Sequence, residues 1–262
     1  MRRTLAIVAT ALALAVVTIA GPSASAITFG TVDSTNIYAN VGALVGEFPG
    51  IGRRVICSGT LIEPDVFLTA THCVVALEAN GSTQTYVSFS PTFDPNDTAA
   101  HLPGTAFAHP EYGQPGADVH DIAVVVLDDP VAGIDPAELV PLNYLTERKS
   151  GLKDERFDTA GYGRVRNTKK KGPSALLPSG GVRSYVDQGF LSLQKPWLTL
   201  SMNPSTGSGG SCFGDSGGPH FHDGLIVSIT VTGDSVCRAT DTTYRVDTRS
   251  ARAFLDDFVD LP

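Results

Sequence analysis

A serine set among glycines is the feature of this 262-residue chain best suited to chemistry: Gly214-Asp215-Ser216-Gly217-Gly218-Pro219. Glycines beside a nucleophile remove the Cβ atoms that would hold backbone N–H groups away from a reacting carbonyl. A serine hydroxyl attacks poorly until a base takes its proton, and the base needs a third group to orient it. Both partners are available upstream. Leu68-Thr69-Ala70-Thr71-His72-Cys73 ends a strand-like run on a histidine, and Asp121-Ile122-Ala123-Val124-Val125-Val126-Leu127 opens a buried strand on an aspartate. Singly, each residue has a plain structural reading: a turn serine, a core histidine, a strand-capping aspartate. Together, in the order His72, Asp121, Ser216, they supply the base, the orienting acid and the nucleophile of an acyl-transfer site.

Gly214-x-Ser216-x-Gly218 also fits the nucleophile elbow of an α/β-hydrolase. That site needs its acid and then its histidine after the serine. Only His220 and His222 follow, four and six residues on, and no helices alternate with the strands, so the elbow is excluded. The elements that must hold the three residues are short runs rich in Val, Ile, Thr and aromatics, punctuated by Gly, Pro, Asn and Asp. They fall at 40–45, 54–62, 66–71, 85–90, 121–127, 157–162, 224–232 and 243–246. The pattern predicts an all-β sandwich or a pair of barrels. One helix is expected, at the C-terminus, where Ala251, Phe254, Leu255, Phe258 and Val259 recur at helical spacing behind a cap at Asp247 or Thr248. Residues 167–181, with Lys169-Lys170-Lys171 and two prolines, read as an exposed loop.

The bulk numbers bound what such a site serves. Hydrophobic residues make up 42% and charged residues 18%, enough for a packed core. Arg2 and Arg3, the apolar run to Ala20, and Ala24-Ser25-Ala26 read as a secretory signal over 1–26, leaving a domain at 27–262. Its removal takes two arginines and no acids, moving the formal charge from −8 to −10. That balance argues against nucleic acid or an anionic membrane as partner. Four cysteines in an exported chain read as two disulfides with three possible pairings; closeness in sequence favours Cys57 with Cys73 and Cys212 with Cys237. Zinc is disfavoured for want of any C-x-x-C spacing. A calcium loop is disfavoured because Ala76 to Ser88 holds only Glu78 as an acid.

These motifs resemble those of the chymotrypsin/trypsin family of serine proteases over essentially the whole mature chain. Thr69-Ala70-Thr71-His72-Cys73 is similar to that family's T-A-A-H-C, with Thr71 for Ala. Asp121-Ile122-Ala123 resembles its D-I-A, and Gly161-Tyr162-Gly163 its G-W-G, with Tyr for Trp. Cys212-x-Gly214-Asp215-Ser216-Gly217-Gly218-Pro219 is a full match. The resemblance implies two six-stranded antiparallel β-barrels with the active site between them and a changeover near 130–155. It also implies the bridges Cys57–Cys73 and Cys212–Cys237. The activity implied is a secreted endopeptidase acting on protein or peptide substrates, expected to be a monomer and to need no metal or organic cofactor. Ser216 would attack, His72 would shuttle the proton, Asp121 would orient it, and the N–H groups of Gly214 and Ser216 would form the oxyanion hole. The other histidines are given no catalytic part: His120 is expected as a surface neighbour of Asp121, and His101, His109, His220 and His222 as structural or exposed.

The resemblance also implies a pocket for the side chain before the scissile bond. Its base falls at Gly210, where trypsin-like enzymes carry Asp, beside Ser211, with Gly233 on the opposite wall. Asp241 lies on the third wall and either points into the pocket, restoring a basic preference, or faces solvent. Finally, Ile27-Thr28-Phe29-Gly30 resembles the family's mature start. This implies that the α-ammonium of Ile27 pairs with Asp215, with Phe29 replacing the usual glycine. A catalytically dead binding homologue and an esterase on the same triad are the rival readings.

Overall fold

The computed structural model describes residues 27–165 and 181–262. The signal segment at 1–26 and the basic loop, apart from Gly181, lie outside the described residues.

Thirteen strands are found among them. After β1 (Thr31–Val32) come β2 (Val41–Phe48), β3 (Gly52–Glu63), β4 (Val66–Thr69), β5 (Gln84–Ser88), β6 (Leu102–Ala108) and β7 (Ala123–Leu127). These six close on themselves in the order β2-β3-β4-β7-β6-β5, every pairing antiparallel. The second barrel is built from β8 (Arg156–Gly161), β9 (Ser184–Leu193), β10 (Trp197–Ser201), β11 (Pro219–His222), β12 (Leu225–Gly233) and β13 (Thr240–Arg245). Pairing of β8 with both β9 and β11 closes that ring. The expectation of two six-stranded antiparallel barrels is met, with one addition: β1 joins the second barrel as a seventh strand on β9. The connection between barrels runs from 128 to 155 and carries the short helix α2 (Tyr144–Glu147). Closure removes free sheet edges, and alternate residues of each strand fill the barrel interiors. Val41, Leu44, Leu61, Phe67, Leu68 and Val124 are fully buried in the first barrel, and Phe157, Leu198, Leu200, Ile229 and Tyr244 in the second.

Three expectations need correction. The run drawn through Thr71 ends at Thr69, and a helix the sequence reading lacked, α1 (Thr71–Ala79), begins two residues later. The 121–127 strand starts at Ala123, which frees Asp121 from the ladder. The C-terminal helix, α3, spans Arg249–Leu255, shorter than its apolar stripe, and its cap is Thr248, whose Oγ1 accepts the Ala251 N–H at 3.2 Å. Both disulfides have the expected partners, Cys57–Cys73 and Cys212–Cys237, closing loops 16 and 25 residues apart in sequence. Loops of that length stabilise by roughly 3 kcal/mol each in the chain-entropy account.

Candidate active site

The first barrel supplies the histidine and the aspartate. His72 stands in the first turn of α1, where N–H groups have no intrahelical acceptor. Ala70, at the cap position, offers no side chain to accept them. Asp121 does so from 49 residues away: its Oδ1 accepts the His72 backbone N–H at 2.8 Å, and its Oδ2 meets the ring Nδ1 at 2.8 Å. One carboxylate therefore caps the helix and fixes the imidazole, and a negative charge at a helix N-terminus is favourable in its own right. Asp121 is 3% exposed, so water offers it little competition. Thr71, the departure from the family's alanine, ties the same two elements together. Its Oγ1 donates to Ile122 O at 2.6 Å and accepts the His109 N–H at 3.2 Å.

The second barrel supplies the serine. In the turn before β11, the N–H groups of Asp215, Gly217 and Gly218 are held by the carbonyls of Cys212, Thr230 and Asp215. The Cys212 N–H goes to Asp215 Oδ2 at 2.8 Å. Those of Gly214 and Ser216 have no acceptor among the described residues, which leaves two donors of one turn unspent beside the hydroxyl. The turn demands its glycines. Gly214 has φ +100° and Gly217 φ +77°; a Cβ on Gly217 would lie 2.5 Å from Ser58 O, and one on Gly214 2.9 Å from the Gly163 Cα. Sequence reasoning passed over Ser58, which joins the barrels here. Its N–H donates to Ser216 O at 2.9 Å, its Oγ donates to Gly214 O at 3.0 Å, and that Oγ accepts the Tyr162 N–H at 2.8 Å.

His72, Gly214 and Ser216 line one cleft of about 440 Å³. Ser211 and Gly233, two of the four expected pocket residues, also line it, as does Cys237. Gly210 and Asp241 do not. Gly210 is buried and exchanges two hydrogen bonds with Thr28, at 3.0 and 2.9 Å. Asp241 does not face solvent: it is fully buried, its Oδ2 is taken by the Ser211 hydroxyl, by Gln188 Nε2 at 3.1 Å and by His220 Nε2 at 3.2 Å, and its Oδ1 has no hydrogen-bond partner among the described residues. Ile27 is likewise fully buried. Burial pushes the Asp215 carboxyl up to about 8, against the pull of the Cys212 and Gly163 N–H groups that bond it and with some repulsion from Asp241.

His120 is not the surface neighbour expected. Its ring stacks on that of His109 with centroids 4.5 Å apart, and its Nδ1 meets Ser250 Oγ at 3.0 Å. Its backbone takes a left-handed φ of 51° that turns the chain into Asp121. His101, His109, His220 and His222 are all buried.

The model of the family described as Trypsin matches residues 41–256. The chain belongs to the trypsin family. Among curated relatives, the kallikrein 1-related peptidase b27 of Mus musculus is 27% identical over 206 residues, covering 71% of this chain and 73% of its own. Trypsin, alkaline C of Manduca sexta is 26% identical over 228 residues, 80% of this chain and 82% of its own. A solved structure titled HL collagenase shares the fold, with a TM-score of 0.68 at 18% identity over 90% of this chain and all of its own. The protein is a trypsin-like serine endopeptidase.

Proposed function

We propose that this endopeptidase is exported, on the signal at 1–26, and cleaves polypeptides through an acyl-enzyme on Ser216. His72 takes the hydroxyl proton as Ser216 Oγ attacks the scissile carbonyl, then returns it to the leaving amine. Water repeats the cycle in reverse to free the acid. Asp121 holds the ring by one nitrogen, which keeps the other for proton transfer, and it stabilises the imidazolium that forms. The N–H groups of Gly214 and Ser216 receive the charge on the carbonyl oxygen, one such donor being worth roughly 3 kcal/mol in the transition state. The observation that carries the reading is the pair of hydrogen bonds from Asp121 to the ring and the backbone of His72, across the cleft from a serine turn with two N–H groups that have no acceptor among the described residues. No described helix is long and apolar enough to cross a membrane. The substrates are peptides rather than nucleic acid, and the enzyme acts as a monomer.

Removal of residues 1–26 would free the amine of Ile27, and the activation step follows from the same turn. A buried carboxyl with a pKa near 8 has no counter-charge among the described residues, and an ammonium beside it would restore its ionised form and brace the Asp215 peptide next to Ser216. Burial of Ile27 and the two hydrogen bonds between Thr28 and Gly210 support docking of the new terminus inside the second barrel. In the specificity pocket, Gly210 contributes no charge and the Asp241 carboxylate lies off the cleft lining behind Ser211, so a strict preference for Arg or Lys is not expected.

A serine-directed phosphonate followed by a peptide-library digest tests the whole. Labelling at Ser216 together with peptide cleavage is the expected result. Labelling without peptide cleavage would point to an ester hydrolase, and absence of labelling to a binding homologue.

A further inference from the structure

We infer that Met202 packs behind the floor of the primary substrate pocket and restricts it to short, uncharged side chains. The inference rests on the endopeptidase reading of the cleft.

Met202 directly follows β10, where its N–H donates to Ala239 O at 3.0 Å, and its side chain is 1% exposed. Three contacts locate that side chain. A Cβ built on Gly210 would lie 2.5 Å from Met202 Sδ. One built on Gly233 would lie 3.3 Å from Met202 Cε. The Ser211 hydroxyl is 3.9 Å from the sulfur. Gly210, Ser211 and Gly233 are the residues expected to frame the pocket. Two are glycines, which would ordinarily leave it deep. The space their missing side chains would open is instead filled by a thioether from a third segment. The lining agrees: Ser211, Thr230, Gly233 and Cys237 reach the cleft surface, whereas Gly210, Met202 and Asp241 do not. The cleft therefore ends at the level of Ser211.

Charge at that level is also masked. Ser211 covers Asp241 with its hydroxyl, and Gln188 and His220 hold the same carboxylate oxygen from behind. The other oxygen, Oδ1, has no hydrogen-bond partner among the described residues but lies off the cleft lining, so a lysine or arginine entering the cleft would leave water without reaching it, at a cost that disfavours both. Aromatic side chains would strike the floor that the methionine backs. Alanine, serine and valine fit above it.

One methylene more or less in an apolar pocket changes kcat/KM by about 10- to 200-fold. Met202→Ala removes three heavy atoms from behind the floor, so the ratio of kcat/KM for Phe over Ala before the scissile bond is expected to rise at least about tenfold. Met202→Val, which opens less room, should give a smaller rise in the same direction. Each secreted protein is first labelled with the phosphonate at Ser216, which confirms an assembled site. A Phe:Ala ratio within about twofold of wild type in a labelled Met202→Ala protein would overturn the inference. Should neither variant label, the wild-type digest decides: cleavage after Phe, Tyr or Arg as efficient as after Ala overturns it, and a profile confined to short residues upholds it. Failure of the wild-type protein to label would instead remove the endopeptidase reading, an outcome distinguishable from failure at Met202.

Discussion

Ser58→Ala perturbs the active site without touching any group that meets substrate. The Ser58 side chain is fully buried and makes two hydrogen bonds, donating to Gly214 O at 3.0 Å and accepting the Tyr162 N–H at 2.8 Å. Alanine keeps the volume of the methylene and deletes both. The Tyr162 N–H is left buried without a partner, which costs about 1–3 kcal/mol, or a fall in Tm of about 3–10 °C for a domain of this size. The second loss is functional. The hydrogen bond to Gly214 O fixes the peptide group leading to Asp215, and with it the conformation of the glycine whose own N–H is the proposed oxyanion donor. A net hydrogen bond of about 1 kcal/mol shifts the balance between the held and the turned conformation about fivefold. A site that has lost one oxyanion donor is slower by about 100-fold or more. So kcat is expected to fall, by up to about fivefold, the more so the more the turned form is already populated in the wild type. KM should change less than about twofold, because the donor acts on charge that exists only in the transition state. The assay is steady-state hydrolysis of a short peptide well below the new Tm, alongside thermal unfolding. A lowered Tm with an unchanged kcat would refute the reasoning: Ser58 would then be a packing residue alone.

Asp121→Asn should cut kcat/KM by about 10⁴-fold, since the amide orients the wrong tautomer of His72; a fall below about 100-fold, read with the same peptide, would contradict the orienting role. Protein carrying one extra residue before Ile27 should be nearly inactive. With the Asp215 pKa raised to about 8, its folded form holds a proton that the unfolded chain releases, so its stability should decline as pH rises from about 4 to about 8. Protein beginning at Ile27 should escape that decline and lose activity only as its amine deprotonates above about pH 8; identical urea curves for the two at pH 5 and pH 8 would count against the pairing. Arg183→Met should destabilise by about 3–5 kcal/mol in urea, because it strands the fully buried Asp33 carboxylate that Arg183 Nε meets at 2.8 Å. Adding Asp33→Asn should recover part of that loss, and a purely additive double variant would refute the ion-pair account.

What could be read from the sequence was what is local. The glycines of 214–218 announce a turn that only they can make, and the cysteine partners lie within 25 residues of each other. His72 and Asp121 stand out because each sits at the end of an apolar run. The features that escaped are those whose partners are remote. The helix α1 starts without a capping side chain of its own and carries the β-branched Thr71, Val74 and Val75, so nothing nearby marks it; its cap comes from Asp121. Ser58 lies mid-strand between Cys57 and Gly59, and its partners are 104 and 156 residues away. Asp241 was left between pocket and solvent because Gln188 and His220, which bury it, are distant in the chain. Met202 followed the same rule, as a lone thioether after a strand with no hint of the glycines it backs.

The division of the site between two closed barrels has a bearing on how the enzyme fails. His72 and Asp121 belong to one ring and Ser216 to the other, and beside the serine turn three hydrogen bonds register them across the seam: Ser58 N–H to Ser216 O, Ser58 Oγ to Gly214 O and Tyr162 N–H to Ser58 Oγ; farther off, the Tyr162 hydroxyl and the Arg183 guanidinium reach the carbonyls of Val41, Ser90 and Phe89. Each ring keeps its own strand ladders when these are lost. A slip of an ångström along the seam is thus enough to silence catalysis while leaving secondary structure whole, and sub-global openings of this kind need less free energy than melting either ring. Under heat or denaturant, turnover should disappear before circular dichroism changes, so that the first casualty of stress is alignment rather than folding.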